Sequence, residues 1–343
     1  MNHKVILGLL FVFHFSISIF HWYRSKIKLG DVDYFYNKAL NSESWISTFG
    51  IGSKFIAFLI YPLVKIEASY LTLFLLFALV SLIPYVYLYK LFLEKKDDKK
   101  AILLYFLFLP SIHFWTVFFG KESILLLIMF FVIKKIKSID YKNPLLYLGL
   151  LVILLIRPYL CVIMLFSFLL AVLLDKSIAT VLRNKIRNIS ILLIIMMTPV
   201  LLFFLKIKSW SGITNNYYKV ARYASKNGNS SIDLLESNYL ERLFLTLFRP
   251  FFYDVISVFH LFASLENLIF LIFLTMLIVR IRKSNFFIQA IDVKFALFTA
   301  LFLILFYSIY MYNLGLANRM KVMFLPYLVY AYLSLQSSKT RML

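Results

Sequence analysis

Cysteine is almost absent from this chain: Cys161 alone, inside an apolar run, in 343 residues. A disulfide framework and a cysteine-based metal site are therefore excluded. The five histidines, His3, His14, His21, His113 and His260, show no paired metal spacing, and neither metal nor cofactor is expected. Charge is scarce too, at 15% of residues, and acidic residues are outnumbered 16 to 37 by lysine and arginine. There is no solenoid repeat and no low-complexity tract. Nothing after Met1 offers the small-residue cleavage site of a secretory signal, so the first apolar run, residues 5–23, is expected to be a retained helix.

Hydrophobic residues make up 62% of the sequence and mean hydropathy is +0.85. A water-soluble domain of this size needs far more polar surface, so the chain reads as a polytopic membrane protein. The expected fold class is all-α, a single multi-pass membrane domain over residues 1–343. A net charge of +21 would point to nucleic acid in a soluble protein. Here the same charge follows from lysine and arginine gathering in short cytoplasmic loops, and no nucleic-acid partner is expected.

A crossing needs roughly 20 apolar residues. Residues 4–23 and 69–93 satisfy this, whereas 54–66 are too short and read as a half-buried or juxtamembrane helix. Basic clusters at 94–100, 134–142, 175–188 and 280–283, with Lys339 and Arg341 in the tail, then set the topology. If all are cytoplasmic, each interval between them holds an even number of crossings. The intervals 101–133 and 143–174 are too long for one straight helix, which would span roughly 48 Å against a core of roughly 30 Å. Two short helices with a tight apex fit instead. Pro110, Gly120, Lys121 and Glu122 mark the first apex and Arg157-Pro158 the second, because proline breaks a helix interior. Crossings at 189–205, 255–279, 293–312 and 320–336, with a turn at NLGLANR, bring the expected total to about ten, both termini inside.

Two outer loops follow, at about 24–68 and 206–253. The second carries seven basic against three acidic residues, an unusual bias for the outer side. Within it Ile232, Leu235, Tyr239, Leu243 and Leu247 are spaced as an amphipathic helix lying on the membrane, started by Ser230 or Ser231 and ended at Pro250.

This topology sends the unusual polar residues outward. Asp31 and Asp33, in an aromatic-rich segment, are candidates to take a proton from an attacking sugar hydroxyl. His113 is a candidate acid or base because its ordinary pKa lies near neutrality. Arg157, Arg249 and Arg319, each beside a helix end, suit the bidentate binding of phosphate, and Lys121 and Glu122 are further candidate ligands. The structural alternatives are interfacial anchoring of each arginine by a carboxylate or a headgroup phosphate, a solvated loop with interfacial aromatics around Asp31 and Asp33, an ion pair closing the hairpin at Lys121-Glu122, and a core role for His113.

In layout, and in the segments GDVDYFY, LPSIHFWTVFFGKES, LIRPYL, LFRPFFYD and NLGLANRMKVMFLP, the chain resembles bacterial polysaccharide-assembly membrane proteins. These are the O-antigen or capsule polymerases of the Wzy type and the related polyprenyl-dependent C-type glycosyltransferases. The resemblance implies transfer of glycan from undecaprenyl pyrophosphate onto a lipid-linked repeat unit, at the outer (periplasmic) face of a bacterial inner membrane. It implies outer-face arginines, no metal, and a chain-length regulator and a flippase as partners beside the membrane lipids. The C-type enzymes use an aspartate in the first outer loop, which Asp31 or Asp33 would match. A flippase or transporter of lipid-linked sugar is the competing class; against it stand the absence of inverted broken helices and the gathering of polar residues at one face. A non-catalytic partner in a polysaccharide complex is a third.

Overall fold

Helices that are apolar on every side, interrupted where proline or glycine removes a backbone bond, dominate the computed structural model. It describes residues 3–27, 30–94, 100–138, 140, 142–175, 178–204, 214–215, 218–219, 236–310 and 313–335. Among these there is no β-strand, so the chain is all-α as expected. Among the described residues four helices are long and apolar enough to cross a membrane: His3–Ile27, Tyr70–Glu94, Val258–Lys283 and, over nineteen residues, Ile291–Ile309. The chain divides into two compact units, Met1–Cys161 and Val162–Leu343.

In the first unit α1 (His3–Ile27) packs on α4 (Tyr70–Glu94), which packs on α7 (Lys121–Lys137), which packs on α8 (Pro144–Ile156). Between α1 and α4 lie α2 (Asp31–Leu40) and α3 (Ser53–Lys65), packed on each other. Residues 24–68, expected as a loop, are thus largely helical. Val32, Phe35 and Ala39 give α2 a buried stripe at helical spacing, and this decides its conformation. α3 has 13 residues, about 20 Å, too short to cross.

The interval 101–133 differs from a simple two-helix hairpin. It forms α5 (Lys100–Leu107), α6 (Pro110–Thr116) and α7, with breaks at residues 108–109 and 117–120. Proline at the first position of α6 explains the first break, since it cannot donate into α5. Residues 143–174 form α8 and α9 (Pro158–Leu173) with the break at Arg157, as expected. A residue before proline is pushed out of helical conformation, and Arg157 has φ −144° and ψ 88°.

In the second unit α10 spans Thr180–Phe204, α11 Tyr239–Phe248, α12 Val258–Lys283, α13 Ile291–Tyr310 and α14 Leu314–Ser334. α14 is central: every residue from Met320 to Leu333 is buried, and α11, α12 and α13 pack on it. One boundary differs from expectation. The turn at NLGLANR is instead the first part of α14, because the Asn313 side chain caps the amides of Gly315 and Leu316 at 2.7 and 3.3 Å. Residues 236–238 are non-helical, so the helix carrying Leu243 and Leu247 starts at Tyr239, where Asn238 accepts from the Glu241 amide at 2.9 Å; the expected start at Ser230 or Ser231 lies outside the described residues. It ends at Arg249-Pro250 as expected. Most of 206–235, with Ile232 and Leu235, lies outside the described residues, as do residues 95–99 and the tail with Lys339 and Arg341.

Gly52 has φ +73° and ψ −122°, and its amide bonds the Leu155 carbonyl at 2.8 Å, tying the start of α3 to the end of α8. Gly52→Ala is expected to lower stability by about 1–3 kcal/mol, since that backbone region is open only to glycine. Thermal unfolding in detergent checks this against Gly8→Ala, whose added methyl meets no atom within 4 Å and leaves stability unchanged or raised.

Candidate functional site

Sequence dictates two chain breaks in the first unit, at 117–120 and at Arg157, and tertiary packing brings them together. Glu122, in the first turn of α7, is fully buried and forms an ion pair with Arg157, which is 7% exposed. The negative charge also suits the positive end of the α7 dipole. The carboxylate orients the guanidinium, so Glu122 is a partner of Arg157 within the protein. Lys121 is half-buried beside Gly52: a methyl built on that glycine would lie 3.8 Å from Nζ.

Asp33 lies at the same end of the unit. Its Oδ1 accepts from the Tyr70 hydroxyl at 2.9 Å and its Oδ2 from the Gly30 amide at 2.7 Å. The Tyr70 ring packs edge-on against Phe119, at 5.1 Å, inside the 117–120 turn. Ser18 on α1 donates to the Val117 carbonyl of that turn at 3.1 Å. Asp31 is exposed at the first position of α2. Asp31, Asp33, Lys121, Glu122 and Arg157 therefore share one end of the first unit. The opposite end holds the His3–Tyr89 bond at 3.1 Å, the Lys135–Asp140 pair at 2.8 Å, and Lys134 and Lys137.

His113 is elsewhere. It is fully buried on α6, stacked on Tyr85 at 4.1 Å, with Nε2 2.7 Å from the Leu107 carbonyl and Nδ1 2.6 Å from Nδ1 of His14. Nε2 of His14 reaches the Ala78 carbonyl at 2.9 Å and Ser81 Oγ at 3.0 Å. His14 is the twelfth of 25 residues in α1, and Ser81 the twelfth of 25 in α4. A polar centre thus sits at half-height, whereas the sequence reading sent its candidates to one face. The spacing His14, Ser18, His21 on one face of α1 was a usable signal for it, masked by the apolar residues between.

In the second unit Arg249 ends α11 and chelates Asp254. Nε lies 3.1 and 2.9 Å from the two carboxylate oxygens, and Nη2 also bonds Oδ1. The Phe251 amide reaches Asp254 at 2.7 Å, and His260 Nδ1 donates to the Asp254 carbonyl at 3.2 Å. Burial raises the Asp254 carboxyl, but the Arg249 and Phe251 bonds and the charges of Arg249 and His260 outweigh it and hold the group below its ordinary range. The hydrogen bond to Asp254 raises the Arg249 guanidinium correspondingly. The same loop is held from beneath by residues the sequence reading did not single out. Lys321 on α14 bonds Asn267 Oδ1 and approaches the Arg249 carbonyl at 3.5 Å, while Asn267 donates to the Pro250 carbonyl at 2.6 Å. Lys321, Asn267 and the adjacent Glu266 are all buried in apolar helices, which marks them as functional candidates. Arg319 is half-buried on α14, two residues before Lys321.

Two arginines are thus held by carboxylates, one in each unit. The arrangement offers oriented guanidinium groups at chain breaks, a lysine and two aspartates near one of them, and no triad of His, Cys, Asp or Glu that could hold a metal ion among the described residues.

Glu122→Leu removes the carboxylate from beside the buried Arg157 cation and is expected to cost about 3–5 kcal/mol, whereas Glu122→Leu with Arg157→Met costs less than either change alone. Thermal unfolding of the three variants checks this. Because the Asp254 carboxyl titrates lower in the folded chain than unfolded, its contribution to stability is present above the unfolded value and lost as pH falls through the folded one. Stability measured by unfolding between about pH 5 and pH 2 should fall toward acid in the wild type and more gently in Asp254→Asn. Comparison with protein-family models, curated proteins and solved structures gives no match to this chain.

Proposed function

We propose that the protein is an inner-membrane glycosyltransferase of the polysaccharide-polymerase type, moving glycan from undecaprenyl pyrophosphate onto a lipid-linked repeat unit. The observation that carries this reading is the clustering of Asp31, Asp33, Lys121 and the Glu122-oriented Arg157 at one end of the first unit, away from its lysine-rich end. In a ten-crossing topology with both termini cytoplasmic, the lysine-rich end faces the cytoplasm and the cluster faces outward. The acceptor hydroxyl forms a new bond to the anomeric carbon as the bond from that carbon to pyrophosphate breaks. The leaving group keeps the electron pair, and the hydroxyl proton passes to a carboxylate, Asp31 or Asp33. Lys121 and Arg157 neutralise charge developing on the pyrophosphate, where electrostatic stabilisation is most effective, and the same topology turns Arg249 and Arg319 to the outer side. A C-type transferase adding one sugar uses the same carboxylate. Chain-length regulator and flippase are the expected partners.

A transporter of lipid-linked sugar is the second reading, favoured by the polar centre at half-height around His14 and His113. Arg157→Ala, Arg249→Ala and Arg319→Ala in the native host separate the two. A polymerase loses long surface chains and keeps single-repeat forms, whereas a transporter loses all surface repeats. Unchanged ladders in all three variants would remove the phosphate-binding role. Lys121→Cys, probed with a membrane-impermeant thiol reagent, is expected to label from outside, and labelling from the cytoplasm alone overturns the orientation.

A further inference from the structure

The break between α5 and α6 creates a demand that a histidine meets. Carbonyls in the last turn of a helix lack amide partners, and Pro110 has no amide to give. Leu107, the last residue of α5, has its carbonyl 2.7 Å from Nε2 of His113. A carbonyl oxygen only accepts, so that nitrogen carries a proton. The same holds for Nε2 of His14, 2.9 Å from the Ala78 carbonyl; Ser81 Oγ, 3.0 Å from that nitrogen, itself donates to Ala78 at 3.2 Å. Turning either ring over would set a carbon against its carbonyl and lose that bond.

With both Nε2 positions protonated, two neutral rings would present bare lone pairs to each other at Nδ1, and those atoms lie 2.6 Å apart. At that distance two lone pairs repel, while a hydrogen shared between them makes a short, charge-assisted bond. A metal ion is too large for the gap: with metal–nitrogen distances of about 2.0–2.1 Å, even a linear bridge needs roughly 4 Å.

We infer that His14 and His113 form a proton-binding site at half-height of the first unit, with one proton held between the two Nδ1 atoms. The pair carries three ring N–H protons and a single positive charge. The surroundings suit a cation. The face of Tyr85 lies 4.1 Å from the His113 ring centre at an interplanar angle of 17°, and its hydroxyl bonds Thr116 at 3.0 Å. The edge contact of Phe13 at 5.0 Å closes another side. Several other titratable groups on the packed helices are engaged toward the two ends. His21 on α1 bonds the Phe114 carbonyl at 3.0 Å, Tyr89 on α4 bonds His3, and Glu122 on α7 pairs with Arg157. Lys121 stands beside Glu122, Tyr105 lies on α5, and Lys134, Lys135 and Lys137 end α7.

The test is nuclear magnetic resonance of the full chain, labelled with nitrogen-15 at histidine, in phosphatidylcholine nanodiscs at neutral pH. The expected result is one strongly downfield proton coupled to Nδ1 of both rings, assigned by its loss in His14→Gln and in His113→Gln. Two separately protonated neutral rings, or two unlinked imidazoles, overturn the inference.

Discussion

The ion pair between Glu122 and Arg157 joins two places where the chain cannot remain helical. One is the 117–120 turn before α7; the other is the residue ahead of Pro158. Each break exposes backbone groups and a charge that hydrocarbon would reject singly. Brought together, the charges neutralise each other, and the ends of α7 and α8 are fixed on either side of them. Gly52 adds a main-chain bond to Leu155 at the same end, and Tyr70 anchors Asp33 a short distance away. The candidate site of the first unit is therefore a consequence of how the breaks are satisfied.

The same rule organises the other polar residues. The carbonyl left at the end of α5 is met by His113, which in turn requires a partner and finds His14. The carbonyls of Arg249 and Pro250, in the tight loop after α11, are met by Lys321 and Asn267 from buried helices. Asp292 accepts from Tyr330 at 2.5 Å, and Lys294 lies 3.8 Å from Asp175. Polar side chains inside the units are placed where backbone or charge would otherwise go unsatisfied, which is why their loss is costly.

How far the site was legible follows from range. Pro110, Gly120 and Arg157-Pro158 identify their breaks locally, because the conformational restriction lies within one or two residues. That Arg157 would meet Glu122, 35 residues earlier, was not readable; carboxylate anchoring was one of two open alternatives for each arginine. His113 was read as a candidate acid or base near an apex, yet it is fully buried with His14, 99 residues away in sequence. Lys321 and Asn267 were not legible because their partners, the Arg249 and Pro250 carbonyls, lie 72 and 17 residues away and leave no periodic signal.

Composition and hydropathy alone determined that the chain is helical and suited to a membrane, since continuous apolar runs of about 20 residues satisfy their backbone in hydrocarbon as helices. They also determined where several helices stop, including the break at Arg157, since proline acts on its immediate neighbours. Tertiary structure decided that residues 31–40 are helical, through burial of Val32, Phe35 and Ala39, and which charges neutralise one another. Those outcomes depend on burial and on partners distant in sequence, and neither is encoded within the range over which local patterns act.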